Sequence, residues 1–120
     1  MTEKKKFKEL YKIEARSQFF DNWSKKFENK IFVVAETYHQ AQLPFFSEVF
    51  KIEPNAWVHK LAKLIWSKLN LEQSEGIYIY CDKVAIAPNH LIQSIYEKYK
   101  DPDGFLYVNI ASIDSFGNSN

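Results

Sequence analysis

A single cysteine, Cys81, rules out an intramolecular disulfide and any cysteine-rich metal centre. It suits a reducing compartment, so a cytoplasmic setting is expected. Glycine is scarce too, three in 120 residues, and no glycine-rich phosphate loop, nucleophile elbow or pair of helical carboxylates is present. No apolar run approaches the roughly 18 residues a membrane span needs, and the lysine-rich start lacks the apolar stretch of a secretory signal. Charge is nearly balanced, sixteen basic residues against fifteen acidic for a formal +1 at pH 7, which makes no case for nucleic acid. His39, His59 and His90 stand apart, without a second ligand at helical or hairpin spacing. Asp101 and Asp103 bracket a proline and precede Gly104, the composition of a turn rather than a calcium loop. These absences remove the common catalytic and metal-binding constellations, so no enzyme activity, metal or cofactor is expected.

What is present is apolar and aromatic. Phe, Trp and Tyr make up 17% of the chain, enough for a folded protein, and the length suits one domain with one modest core. Residues 4–12 and 13–27 contain no glycine or proline and read as two helices. In the second, Ile13, Arg16, Phe19, Phe20, Trp23 and Phe27 recur at three- and four-residue spacing. The β-branched run 31–35 reads as a strand. Residues 47–53 read as a second strand, with Val49 opposed to Phe50 and Ile52, and the short connection makes the two an antiparallel pair. Asn55 caps the strongest helical pattern, in which Trp57, Val58, Leu61, Leu64, Ile65 and Leu69 form one apolar stripe. A third strand over 77–81, a short helix over 89–99 and a last strand from Phe105 complete the order. The expectation is an α+β chain: a four-stranded mixed sheet in the ββαβ(α)β order of a β-grasp, ubiquitin-like fold, with two additional N-terminal helices.

The end of the chain is the most informative part. After the last strand, Asp114-Ser115 leads to Phe116-Gly117 and a polar stub, Asn118-Ser119-Asn120. A glycine without a Cβ lets an extended peptide enter a narrow enzyme tunnel and offer its carboxylate there. The preceding segment carries Ile95-Tyr96, then Lys100-Asp101-Pro102-Asp103, then Phe105-Leu106-Tyr107. This pattern resembles the C-terminal third of the autophagy ubiquitin-like modifiers, the family of GABARAP and microtubule-associated protein light chain 3. Gly117 falls at that family's spacing after Phe-Leu-Tyr. The resemblance implies residues 1–27 as a helical extension, 28–117 as the ubiquitin-like domain and 118–120 as a removable tail. It further implies cleavage after Gly117 by a cysteine protease, with Phe116 just before the cut, then an activating and a conjugating enzyme that attach phosphatidylethanolamine covalently. The lipidated form belongs on the autophagosomal membrane. A related modifier joined to a protein lysine is expected to end at its glycine, which the 118–120 tail opposes; an adaptor of the same fold that is never conjugated stays open.

The resemblance also implies a peptide groove along the second strand, taking motifs with an aromatic residue, two variable residues and an aliphatic one from receptors and adaptors. Trp23, Phe32, Val34 and Phe105 fall where the family lines its aromatic-accepting pocket. A one-residue length difference before Val58 leaves either Ile52 or Lys51 at the family's pocket-lining leucine position. Ile52 is preferred, because it aligns Pro54 with the family's strand-ending proline and keeps Lys51 wet. The aliphatic-accepting pocket draws on Pro54, Trp57, Leu61 and Leu64, and Lys30 stands where the family pairs a basic residue with an acidic group of the ligand. The edge strand departs from the family's basic run, with Ser47-Glu48-Val49-Phe50-Lys51 in its place. A monomer acting through these partners and its lipid is the expectation.

Overall fold

The computed structural model describes residues 5–38, 43–69 and 76–112. Two helices lead, α1 (Phe7–Leu10) and α2 (Ile13–Lys26), followed by β1 (Ile31–Thr37), β2 (Ser47–Ile52), α3 (Val58–Leu69), β3 (Ile77–Cys81), β4 (Val84–Ala85), α4 (Ile92–Tyr99) and β5 (Leu106–Ser112). The strands form one mixed sheet in the order β2-β1-β5-β3-β4. β1 lies parallel to β5 and antiparallel to β2, so the expected hairpin and the expected free edge at β2 are both present.

The sheet is covered on both faces, which is why β1 is buried at every position. Alternate side chains of a strand point to opposite faces. Ile31, Val33 and Ala35 therefore join Val58, Leu61 and Ile65 of α3 and Ile92 and Ile95 of α4 in the larger core. Phe32 and Val34 point the other way, into an aromatic cluster with Phe7, Phe105, the α2 residues Phe19, Phe20 and Trp23, and Phe27 just after that helix.

Four elements depart from the sequence reading. The sheet has a fifth strand, β4, paired with β3 through Tyr80↔Ala85 and Cys81↔Val84. Asp82 and Lys83 hold φ of 48° and 68°, the left-handed pair that a two-residue hairpin requires, here without the glycine that usually announces one. The first helix covers only Phe7–Leu10, because Tyr11 and Lys12 are both extended. Phe7 is held there by tertiary contacts: its N–H donates to Glu36 Oε2 at 2.7 Å, and its ring meets Phe105 edge-on at 5.4 Å. The third and fourth helices start two and three residues late, at Val58 and Ile92, and Asn55 sits in a turn instead of at a cap. Their first N–H groups are satisfied reciprocally. Val58 and His59 donate to the carbonyls of His90 and Pro88, while Ile92 and Gln93 donate to those of Ala56 and Pro54. Each helix thus uses the segment before the other in place of a side-chain cap.

A tight turn ties the start of β5 to α2. The Asp103 carboxylate is buried and accepts the N–H of Phe105 at 2.9 Å and the hydroxyl of Tyr107, with Arg16 Nε 3.4 Å away. Burial first, and then that hydrogen bond to Asp103, push the Tyr107 hydroxyl far above its ordinary value. Gly104 follows with φ of +100°, and the Tyr96 hydroxyl donates to its carbonyl at 2.8 Å. Through this turn α2 keeps its place over the sheet.

Candidate functional site

Strand β2 is an edge, so its outward backbone groups are available to an added strand. The alternation of β2 decides which of its side chains serve such a ligand. Phe50 and Ile52 point into the α3 core. Val49 and Lys51 point to the α2 face, opposite Val34 and Phe32 respectively. Trp23 of α2 and Phe27, which caps the end of that helix, reach the same place. Trp23 lies 5.9 Å from the Phe32 ring and Phe27 lies 6.4 Å from it. Trp23, Phe27, Phe32, Val49 and Lys51 line an open cavity of about 210 Å³ beside the free edge.

The expected pocket residues thus separate into walls, floor and core. Trp23 and Phe32 are walls of the cavity. Val34 and Phe105 do not reach the cavity; both are fully buried beneath it. Phe20 and Trp23 pack edge-on over Phe105 at 5.7 and 5.8 Å. Ile52 is corrected outright. It is 1% exposed on the other face of the sheet, because it pairs with Ile31 while Lys51 pairs with Phe32. Lys51, expected on the wet side, takes the pocket-lining position, and its Nζ lies 3.7 Å from the centroid of Phe27.

The second pocket is not assembled as expected. Leu61 is buried in the α3 core, whereas Leu64 and Trp57 are exposed. Pro54 is half-buried in the turn after β2, where its carbonyl accepts the Gln93 N–H. Trp57 lines a different cavity of about 340 Å³ with His59, Pro88 and Asn89, because its backbone bridges to Leu91 and not to β2. Lys30 lies 3.7 Å from Glu53, and Lys60 bonds the other oxygen of the same carboxylate at 2.7 Å. The hydrogen bond from Lys60 holds Glu53 below the usual carboxylate range.

Phe27 and Val49 are walls that the sequence reading did not assign to the site. Both were signalled, Phe27 by its four-residue spacing from Trp23 and Val49 by alternation with Phe50. Among the described residues no group of three or more His, Cys, Asp or Glu side chains is placed to hold a metal. The Cys81 thiol is buried, and burial foremost, with Asp82 nearby, pushes it up to about 12, which removes it as a nucleophile at neutral pH. No helix of the described residues is long and apolar enough to cross a membrane. His39, Phe116, Gly117 and the 118–120 tail lie outside the described residues.

Comparison with known proteins agrees with this architecture. The family described as "Autophagy protein Atg8 ubiquitin like" matches residues 15–117. The chain is 28% identical over 114 residues to Autophagy-related protein 8 of Coccidioides immitis, covering 94% of this chain and 97% of that one. It is also 28% identical over 114 residues to Autophagy-related protein 8i of Arabidopsis thaliana, covering 94% and 99%. The crystal structure of Trypanosoma brucei ATG8 superposes with a TM-score of 0.85 at 19% identity, over 92% of this chain and 97% of that one, which speaks for the fold. Since the family match takes in nearly the whole chain, this protein belongs to the Atg8 family of ubiquitin-like autophagy proteins, which are modifiers rather than enzymes and need no cofactor.

Proposed function

We propose that the chain is made as a precursor, cleaved after Gly117 and joined through that glycine to phosphatidylethanolamine. The observation that supports this most is that the family match extends through residue 117, the glycine that follows Phe116, with 118–120 beyond it. A cysteine protease hydrolyses the Gly117–Asn118 peptide bond. The activating enzyme adenylates the new carboxylate with ATP and releases pyrophosphate, and a cysteine thiol displaces AMP to give a thioester. After transfer to the conjugating enzyme, the lipid amine displaces the thiol to form an amide. The chain itself supplies the glycine and no catalytic group. Residues 1–27 act as a helical extension on a ubiquitin-like domain of 28–117. Two acyl chains gained at once hold where a single one is marginal, so the conjugate resides on the autophagosomal membrane and the free form in the cytoplasm. There it recruits receptors and adaptors whose extended motifs pair with the edge of β2 and seat an aromatic side chain between Trp23, Phe27 and Phe32.

The test is reconstitution with the family's protease, activating enzyme, conjugating enzyme and vesicles containing phosphatidylethanolamine. Intact mass should show loss of the last three residues and then gain of one lipid, and the product should float with the vesicles. Gly117→Ala should leave the thermal melt unchanged while abolishing the adduct. A lipid adduct on Gly117→Ala would place conjugation elsewhere, and an unchanged mass beside an active control substrate would refute the precursor reading.

A further inference from the structure

Trp57 is 54% exposed, and with His59, Pro88 and Asn89 it lines the open cavity of about 340 Å³. The walls are held by backbone. Val58 and His59 donate to His90 and Pro88 at 2.8 and 3.0 Å, and Ile92 and Gln93 donate back to Ala56 and Pro54 at 2.8 and 2.9 Å. The two segments cannot part without losing these bonds, so the cavity is preformed. An apolar hollow rimmed by a few polar side chains has the make-up of a binding site. It lies away from the β2 groove. Pro88 and Asn89 follow β4, the sheet edge opposite β2. Successive residues of a helix turn by about 100°, so His59 and Lys63 share the flank of α3 beside the cavity, whereas Lys60 points towards the end of β2 and meets Glu53 there.

The charge beside the cavity has one sign. Helix α3 carries His59, Lys60, Lys63 and Lys68 and no acidic residue. Lys60 is engaged by Glu53, but among the described residues no carboxylate pairs with Lys63, which is exposed. No acidic side chain lines the cavity. An apolar hollow next to a cation without a counter-ion is complementary to a ligand that brings both an apolar anchor and a negative charge. We propose that this cavity is a docking site separate from the β2 groove, whose ligand is an acidic peptide that inserts one bulky apolar side chain against Trp57 and Pro88 and sets a carboxylate on Lys63. His59 and Lys63 stand one turn apart, about 6 Å along the helix axis. An extended chain covers that distance in two residues, which puts the carboxylate two residues from the anchor. Since the cavity and β2 lie on opposite flanks of α3, one molecule can hold a ligand at each.

The probe is a synthetic peptide with a single tryptophan, glutamate two residues to either side of it and no aliphatic residue; its twin carries glutamine at both places. Binding is followed by the amide chemical shifts of the labelled protein. The signals of Trp57, His59 and Asn89 should move while those of Val49 and Lys51 stay, and the same pattern should persist with a tryptophan-x-x-leucine peptide in excess. The glutamate peptide should bind about three-fold more tightly than its twin, the size expected of an exposed ion pair, and the advantage should shrink as salt rises. That ratio should fall to about one in Lys63→Met and return in Lys63→Arg, which a merely structural role for Lys63 would not produce. Trp57→Ala should weaken both peptides at least ten-fold, as loss of a central aromatic does, and the Lys63 series decides the matter by itself if that variant melts early. Shifts confined to Val49 and Lys51 would overturn the proposal by sending the peptide to β2. Equal affinity of the twins, or no binding of either, would overturn the acidic ligand. Shifts at Trp57 that grow with protein concentration alone, with a matching rise in sedimentation mass, would give the cavity to a second copy of the chain and overturn it too.

Discussion

Replacing Gly104 by alanine would put a methyl group 2.5 Å from Cγ and Cδ2 of Phe20, and 2.7 Å from Cδ1. No rotation of a flexible side-chain end relieves this, because the contact is with the body of a ring already packed edge-on against Phe32 and Phe105. The backbone adds its own cost. A φ of +100° suits glycine and strains an L residue by about 1 to 3 kcal/mol. Crowding a filled cluster contributes a further ~1 to 3 kcal/mol. Together they place the loss at about 3 kcal/mol, a large share of the stability of a domain this size. In urea denaturation the midpoint should fall with little change in slope, and the melting temperature should drop by about 10 °C. The site should feel it too. Phe20 and Trp23 ride on the same helix, so a displaced Phe20 moves one wall of the cavity. Repeating the substitution in a Phe20→Ala background separates the two costs, because the methyl then meets open space and only the backbone strain remains. A loss below about 0.5 kcal/mol for Gly104→Ala would refute the reasoning, as would an identical loss in both backgrounds.

Two other predictions concern the site and its support. Ile52→Ala should cost about 2 to 5 kcal/mol of stability as a buried truncation while the folded protein keeps its peptide affinity; a selective loss of affinity with unchanged stability would return Ile52 to the pocket. The Lys8 ammonium bonds the Asp101 carboxylate. Burial pushes that carboxyl up, but the hydrogen bonds from Lys8 and the Asp103 N–H outweigh it and leave the group below its usual value. A depressed folded value means stability that is present above the unfolded value near 3.9 and lost as pH falls through the folded one. The stability difference between the native protein and Lys8→Met should therefore be under about 1 kcal/mol at pH 7, since Lys8 is half exposed. It should vanish in denaturation curves taken well below pH 4; a constant difference down to pH 2 would show that the pair is not the cause.

Much of the fold was legible because each element carries its own period. The β-branched run of β1, the alternation in β2 and the apolar stripe of α3 are local patterns, and each burial face follows from a repeat of two or 3.6 residues. The same alternation had already placed Val49 and Lys51 opposite Phe50 and Ile52. The preference for Ile52 as a pocket wall came instead from aligning Pro54 with the family's proline, and the pairing of β2 with β1 shows that alternation was the sounder guide. Local patterns are silent where distant chain segments satisfy one another. Nothing in residues 4–12 announces that the first helix stops at Leu10, because Glu36 and Phe105 hold Phe7 there. Nothing near Asn55 shows that the N–H groups of Val58 and His59 find their acceptors at His90 and Pro88. The sequence by itself determined the order of helices and strands and, through its resemblance to the autophagy ubiquitin-like modifiers, pointed to the family, because both are properties of the linear chain; the sheet order is what makes β2 an edge. Tertiary structure alone decided which residues line the cavity beside β2. Packing of α2 onto the sheet, secured by Phe20 against Gly104 and Arg16 against Asp103, makes Phe105 a floor and Phe27 a wall. The sharing of Glu53 between Lys30 and Lys60 leaves Lys51 as the cation in the pocket.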